Sequence, residues 1–206
     1  TAAGDGGGGL AIAAQSELSV SGGAISGNTA NSGAGFILTG GSKLTMTGGE
    51  ISGNTAKLNG GGGFASKNTA VMMSGGSVSG NYTSESGAAF YLSYAKITLS
   101  GGTISGNTAK KAGAAVYLSK STATLSGTTI SNNKAQNAAG IMVSTNSHLT
   151  MTGGAITNNQ VEDRGAGVYH NKSTGTYTGG TISGSVAGIE GGAIYSTGST
   201  LTLGGV

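Results

Sequence analysis

Seven apolar residues at a near-constant spacing, a short alternating run ahead of each and turn residues between them predict an all-β, right-handed parallel β-helix. The solenoid has about eight coils of 26 residues with three short strands per coil. The first observation is a Gly-Gly-x-Ile element whose apolar residue falls at Ile25, Ile51, Val78, Ile104, Ile130, Ile156 and Ile182. Five of the six spacings are 26 and the other is 27. The second is the apolar–polar–apolar triplet just before the glycines, as in Leu18-Ser19-Val20, Leu44-Thr45-Met46, Ile97-Thr98-Leu99 and Leu149-Thr150-Met151. The third is the run that follows the Ile: Phe36-Ile37-Leu38, Phe90-Tyr91-Leu92, Val116-Tyr117-Leu118, Ile141-Met142-Val143 and Val168-Tyr169-His170.

Period-two alternation and β-branched or aromatic runs between turn residues are strand signals. No stretch shows helical periodicity, and a helix through this many glycines would lose about 1 kcal/mol at each. Strands this short bury no face alone, so each must pair in parallel with its copy one repeat away. A 26-residue coil exceeds the roughly 18 of a left-handed hexapeptide helix, which selects the right-handed form. At ~4.8 Å per coil, eight coils make a rod roughly 38 Å long.

The expected interior runs through Leu44 and Met46, then Ile51. It continues through the small residue five later (Ala30, Ala56, Ala109, Ala135, Val161, Ala187), Phe64 or Val116, and Leu92 or Leu118. The gap from Ile to the third strand is 11 residues in the first repeat, 13 in the second and mostly 12 afterwards, which places all register slack in that one turn. It also holds Lys57, Glu85, Lys110, Lys111, Glu162, Asp163, Arg164 and Glu190, marking an exposed loop edge.

Composition excludes several classes. Pro is absent among 43 Gly, unlike collagen, and 36% apolar with 8% charged residues is unlike disorder. Without cysteine there is neither a disulfide nor a Cys-metal site, and no apolar run reaches the ~20 residues of a membrane helix. A net charge of +3 argues against nucleic acid as the main partner. Both ends read as cut, the first nine residues being mostly glycine and Leu201-Thr202-Leu203 stopping partway through a coil. Residues 1–206 are therefore expected to be one repeat domain within a longer array, from a processed or excised chain.

The Gly-Gly-Ala-Ile stretches at Gly22–Ile25, Gly153–Ile156 and Gly191–Ile194 carry a resemblance. They resemble the repeats of chlamydial polymorphic outer membrane proteins and similar giant bacterial surface proteins, in which GGA(I/L/V) alternates with FxxN. Here Ile replaces Phe, as in Ile25-Ser26-Gly27-Asn28 and Ile104-Ser105-Gly106-Asn107, and residues 1–206 are expected to include no membrane barrel. The resemblance implies a right-handed β-helix displayed outside a bacterial cell and used in adhesion. Its expected partners are host or neighbouring-cell glycans or proteins, or further copies of itself, with no membrane insertion by this segment.

The chemistry-bearing residues form columns. Asn28, Asn54, Asn81, Asn107, Asn133 and Asn159 read as a ladder of amides bonding coil to coil rather than a polar ligand rail. An outward Tyr91, Tyr117, Met142, Tyr169, Tyr195 column offers sugar rings or a partner surface something to stack on, or simply stacks on itself. Thr45, Thr47, Thr98, Ser100, Thr124, Ser126, Thr150, Thr152, Thr176 and Thr178 form a regular outward array of the kind that binds ice. Threonine is also an ordinary strand residue, and Met72 interrupts the lattice. Lys43, Lys67, Lys96, Lys120 and Lys172, with His148, cluster at the turn before the first strand, to draw in anionic glycans or as solvated lysines that deter aggregation.

A polysaccharide-degrading enzyme would need paired carboxylates, best supplied by Glu162, Asp163 and Glu190, although Arg164 beside them suggests loop ion pairs. His170 falls in an inward column and reads as a satisfied interior histidine. Asp5 and Asp163 are the only aspartates, too few for calcium-binding nonapeptides, and Gly4-x-Gly6-x-x-Gly9 lacks the strand and helix of a dinucleotide site. The reading is a non-catalytic chain with no cofactor and no metal site.

Overall fold

Each coil carries four short strand segments rather than three, because a two-residue strand follows each Asn. The structure, a computed structural model, describes residues 7–206. Asp5 and the first two glycines of the Gly4-x-Gly6-x-x-Gly9 match lie outside the described residues. Eight strands from Glu17–Val20 to Thr200–Leu203 form the first ladder, and the Ile segments beginning at Ala24–Ser26 form the second. Thr29–Ala30 to Val186–Ala187 make a seven-stranded third sheet, and Leu10–Ile12 to Ile194–Thr197 an eight-stranded fourth ladder, the aromatic one. All pairing is parallel between consecutive coils, giving about seven turns. His148–Thr157 and Thr174–Ser183 run through the Gly-Gly corner and join the first two ladders into one sheet.

The corner needs glycine for a close approach. At Gly102 φ is +78°, and a Cβ there would lie 2.6 Å from the Gly76 carbonyl oxygen of the coil below. Inward columns then fill the rod: Leu44, Val71, Ile97 and Leu149 beside Met46, Met73, Leu99 and Met151, facing Leu38, Leu92, Leu118 and Val143, all buried. The alanine column (Ala30, Ala56, Ala109, Ala135) lines the narrow end and opens to half-exposed Ala187 at the last coil.

Phe64 corrects the expected interior. It pairs with Ile37 and Tyr91 and stands in the outward column, while Gly63 takes the inward place between Phe36 and Phe90. A Cβ on Gly63 would lie 2.1 Å from Phe36 Cζ, and the Phe36 and Phe90 rings close over that place at a centroid separation of 6.1 Å. One glycine thus gives two buried rings the room of three coils.

Register slack also sits in two places, not one. Where the loop from Ile to the aromatic ladder spans 11 residues, as from Ile25 to Phe36, the bend onward to Lys43 spans 7. Where the loop spans 12, as from Val78 to Phe90, the bend to Lys96 spans 6. Loop and bend therefore trade one residue, and the first ladder stays in step. Only from Ile51 through Gly63 to Ala70 do a 12-residue loop and a 7-residue bend coincide, which is the origin of the single 27 spacing. Short bends turn on one left-handed residue (Tyr94, φ 54°; Lys120, φ 49°; Lys172, φ 49°), and long ones on two (Lys67 and Asn68; Thr145 and Asn146).

Candidate binding faces

Parallel pairing in register turns each residue type into a stripe along the rod. On the first ladder Thr45, Thr98, Thr124, Thr150 and Thr176 form one half-exposed stripe, broken by exposed Met72. Thr47, Ser100, Ser126, Thr152 and Thr178 form a more exposed stripe beside it. The threonine array exists as a surface two residues wide.

The aromatic stripe runs Ile37, Phe64, Tyr91, Tyr117, Met142, Tyr169, Tyr195. Phe64, Tyr91 and Tyr117 stack with interplanar angles of 5° at 5.2 and 4.9 Å, and Tyr169 meets Tyr195 edge-on at 4.8 Å. The stacked faces are spent on one another, so this column presents ring edges and hydroxyls rather than open faces. Burial and the neighbouring Tyr117 raise the Tyr91 pKa, keeping that hydroxyl a donor. Met142, an expected binding residue, is buried between Tyr117 and Tyr169 and offers little surface.

The asparagines form a rail. Each side-chain Nδ2 from Asn28 to Asn133 donates to the Oδ1 of the next coil's Asn at 3.0 Å, and each backbone N–H donates to the same oxygen. Asn54 to Asn159 are buried, so the rail is structural.

Two of the three candidate carboxylates have partners of their own. Asp163 Oδ2 accepts from Asn137 Nδ2 at 3.1 Å, and Glu190 Oε2 pairs with Arg164 Nε at 2.8 Å, while Arg164 also lies 5.5 Å from the Tyr195 ring. Two of the three candidates are therefore committed to neighbours in the loop. Among the described residues no group of three or more His, Asp or Glu side chains is placed to hold a metal ion, and no helix is long and apolar enough to cross a membrane.

His170 is fully buried. Its Nε2 meets Tyr177 Oη at 2.6 Å and its Nδ1 meets Ser173 Oγ at 2.9 Å. Gly175 makes room for it, since a Cβ there would lie 2.7 Å from His170 Cε1. Burial, aided by His148, lowers the His170 pKa from 6.5 to about 4, and burial raises that of Tyr177.

The bend before the first ladder holds two features beyond the lysines. A hydroxyl stands two residues ahead of each inward residue of the first ladder, at Ser16, Ser42, Thr69, Ser121, Ser147, Ser173 and Ser199, with Ala95 breaking the series. Ser121 Oγ accepts from Ala95 N at 3.1 Å and Ser147 Oγ from Ser121 N at 3.1 Å, making a second, shorter ladder. The fixed offset from the apolar residue is the signal that could have found it. Tyr94, 54% exposed and left-handed, is the other feature: Lys120 Nζ donates to its hydroxyl at 2.6 Å and sits 4.9 Å from its ring. A shallow trough lined by Tyr94, Lys96, Lys120 and Thr122 is followed by another lined by His148, Lys172 and Thr174.

Comparison with known proteins adds one finding. The family described as "Right handed beta helix region" matches residues 66–205, while no curated protein and no solved structure matches the chain. That span exceeds half of the chain and covers the later coils of the parallel ladders described above, so this chain belongs to the right-handed β-helix family.

Proposed function

We propose that this β-helix is a non-catalytic segment of a bacterial cell-surface protein, acting outside the cell as an adhesin or structural stalk. The observation that carries the reading is the stripe order: side chains of like chemistry pair in register from coil to coil, with Met72 interrupting the threonines and Met142 the tyrosines. Such a surface meets an extended or repeating partner along a line. The loop carboxylates tied to Asn137 and Arg164 support a rod over a hydrolase. The polymorphic outer membrane protein-like Gly-Gly-Ala-Ile repeats support the surface setting. Glycan or protein partners meet the tyrosine column at the edges and hydroxyls of stacked Tyr91 and Tyr117 and at the perpendicular pair Tyr169 and Tyr195.

Purified chain is expected to bind host cells or a glycan array. Exchange of Tyr91, Tyr117 and Tyr195 for Phe preserves the ring stack and weakens binding, and exchange for Ser abolishes it. Unchanged binding in the Ser variant would remove the tyrosine face.

The double stripe from Thr45 to Thr178 favours a second reading, ice binding. It predicts faceted ice crystals and thermal hysteresis that Thr124→Tyr and Thr150→Tyr abolish. Absence of both activities in the unaltered chain removes it.

A further inference from the structure

We propose that the bend edge of the rod is a binding seam for a linear acidic polysaccharide lying parallel to the rod axis. One basic side chain stands on each of six consecutive coils: Lys43, Lys67, Lys96, Lys120, His148 and Lys172. They alternate between two columns. Lys43, Lys96 and His148 open strands of the first ladder, and Lys67, Lys120 and Lys172 occupy the left-handed bend positions of the coils between. With coils ~4.8 Å apart, this is one basic side chain per coil, five of the six being lysines, along one edge of the rod. A polymer that carries one anion per repeating unit meets such an edge unit by unit, and weak individual contacts add along its length.

Charge is segregated around the aromatic ladder. Among the described residues both ion pairs, Lys111–Glu85 and Arg164–Glu190, lie on the loop at the ladder's other edge, where Glu162 and Asp163 also stand. At the bend edge Glu17, beside Lys43 in register, is the one carboxylate among the described residues, and from Lys67 to Lys172 there is none. A chain with a net charge of only +3 thus concentrates half of its ten lysines and arginines on one line. The two troughs lie on this line and on adjoining coils, because Thr122 of the first pairs in register with His148 of the second. Exposed hydroxyls of Thr122, Thr174 and Thr200 between the cations suit the hydroxyls of a sugar chain.

The same edge suits single-stranded nucleic acid poorly. Base stacking needs open ring faces, yet Lys120 Nζ lies over the Tyr94 ring and the nearby tyrosine column stacks on itself. The seam does not use the tyrosine or threonine stripes, so it stands or falls independently of the adhesin reading.

The test is direct binding of the chain to polygalacturonate (carboxylated) and heparin (sulfated), with dextran and poly(dT) as comparison polymers. Binding to at least one acidic polysaccharide is expected, weakening as ionic strength rises to ~0.15 M, with dextran ignored and poly(dT) bound less tightly. The K96Q/K120Q/K172Q variant is expected to lose about tenfold or more in affinity, and K96R/K120R/K172R to keep it. K57Q/K110Q/K134Q removes the same number of charges elsewhere and is expected to bind like the unaltered chain. Equal losses in the two Gln variants, tighter binding of poly(dT), or no binding to either acidic polymer at low salt would each overturn the proposal.

Discussion

The asparagine bend and the lysine bend turn the same coil, and they do so in opposite ways. At the first, one residue type occupies the same place on six coils, five of its six amides are buried, and the amides bond from coil to coil. At the second, length alternates between one and two left-handed residues, whose identities include Gly, Lys, Tyr, Thr and Asn. The hydroxyl ladder beneath it is interrupted at Ala95, and Thr69 Oγ1 is buried without a partner. The buried rail holds register, which leaves the exposed bend free to change length and carry charge. Stability and recognition are thereby assigned to different corners of one coil.

Breaking the rail should produce the largest effect. Asn107→Ala removes the acceptor of both the Asn81 backbone N–H and the Asn81 Nδ2, and leaves the Val78 carbonyl without its amide donor. Several buried polar groups lose partners together, at a cost of about 3–5 kcal/mol. The corresponding change at the other bend, Ser121→Ala, removes one hydroxyl that accepts from Ala95 N and donates to the Ser119 carbonyl, and should cost about 1 kcal/mol. Urea denaturation of the two variants measures the contrast. Equal losses would sink the division of labour.

How much of this was legible in the sequence follows from where the period is strict. The first ladder and the Ile and Asn columns keep their spacing, so strand direction, inward faces and the amide rail could be read from Ile25 to Asn159 directly. The frame of Gly63-Phe64-Ala65 could not. Both frames put an apolar residue inside, and the choice rests on Phe36 and Phe90 reaching into the vacancy from the coils on either side. Misplacing Phe64 by one residue made its loop look 13 long and hid the exchange of length between loop and bend. The tyrosine stripe was legible as a column, but the stacking that spends its ring faces and the burial of Met142 depend on side-chain packing across coils.

A pH titration tests the lysine bend from beneath. His170 is bonded to Ser173 of the hydroxyl ladder and to Tyr177, and its pKa is about 4 in the fold against 6.5 as an ordinary histidine. Protons therefore bind the unfolded chain first. The stability associated with neutral His170 is complete above pH 6.5 and is lost progressively as pH falls towards 4, by about 3 kcal/mol in all. The double variant His170→Leu, Tyr177→Phe replaces the network with apolar groups and should flatten this part of the profile. Thermal melting between pH 7 and pH 4 reads the difference, and a decline of the same size in both proteins would assign the acid sensitivity elsewhere.

The smallest effect should sharpen the comparison most. In the other two-residue bends the serine hydroxyl closes the turn on the carbonyl three residues back: Ser16 to Ala13 at 2.6 Å, Ser42 to Thr39 at 2.8 Å and Ser147 to Ser144 at 2.5 Å. Thr69 stands in the same place, yet its Oγ1 is buried and unbonded. Thr69→Val puts a methyl where the orphaned hydroxyl is, with nearly the same shape, and should stabilise the chain by about 1 kcal/mol. Thr69→Ser trades a buried methyl, worth about 0.8 kcal/mol, for freedom to form the bond to Ser66, and should leave stability nearly unchanged. If Thr69→Val instead destabilises, the hydroxyl has a partner, and the lysine bend is as fully bonded as the asparagine one.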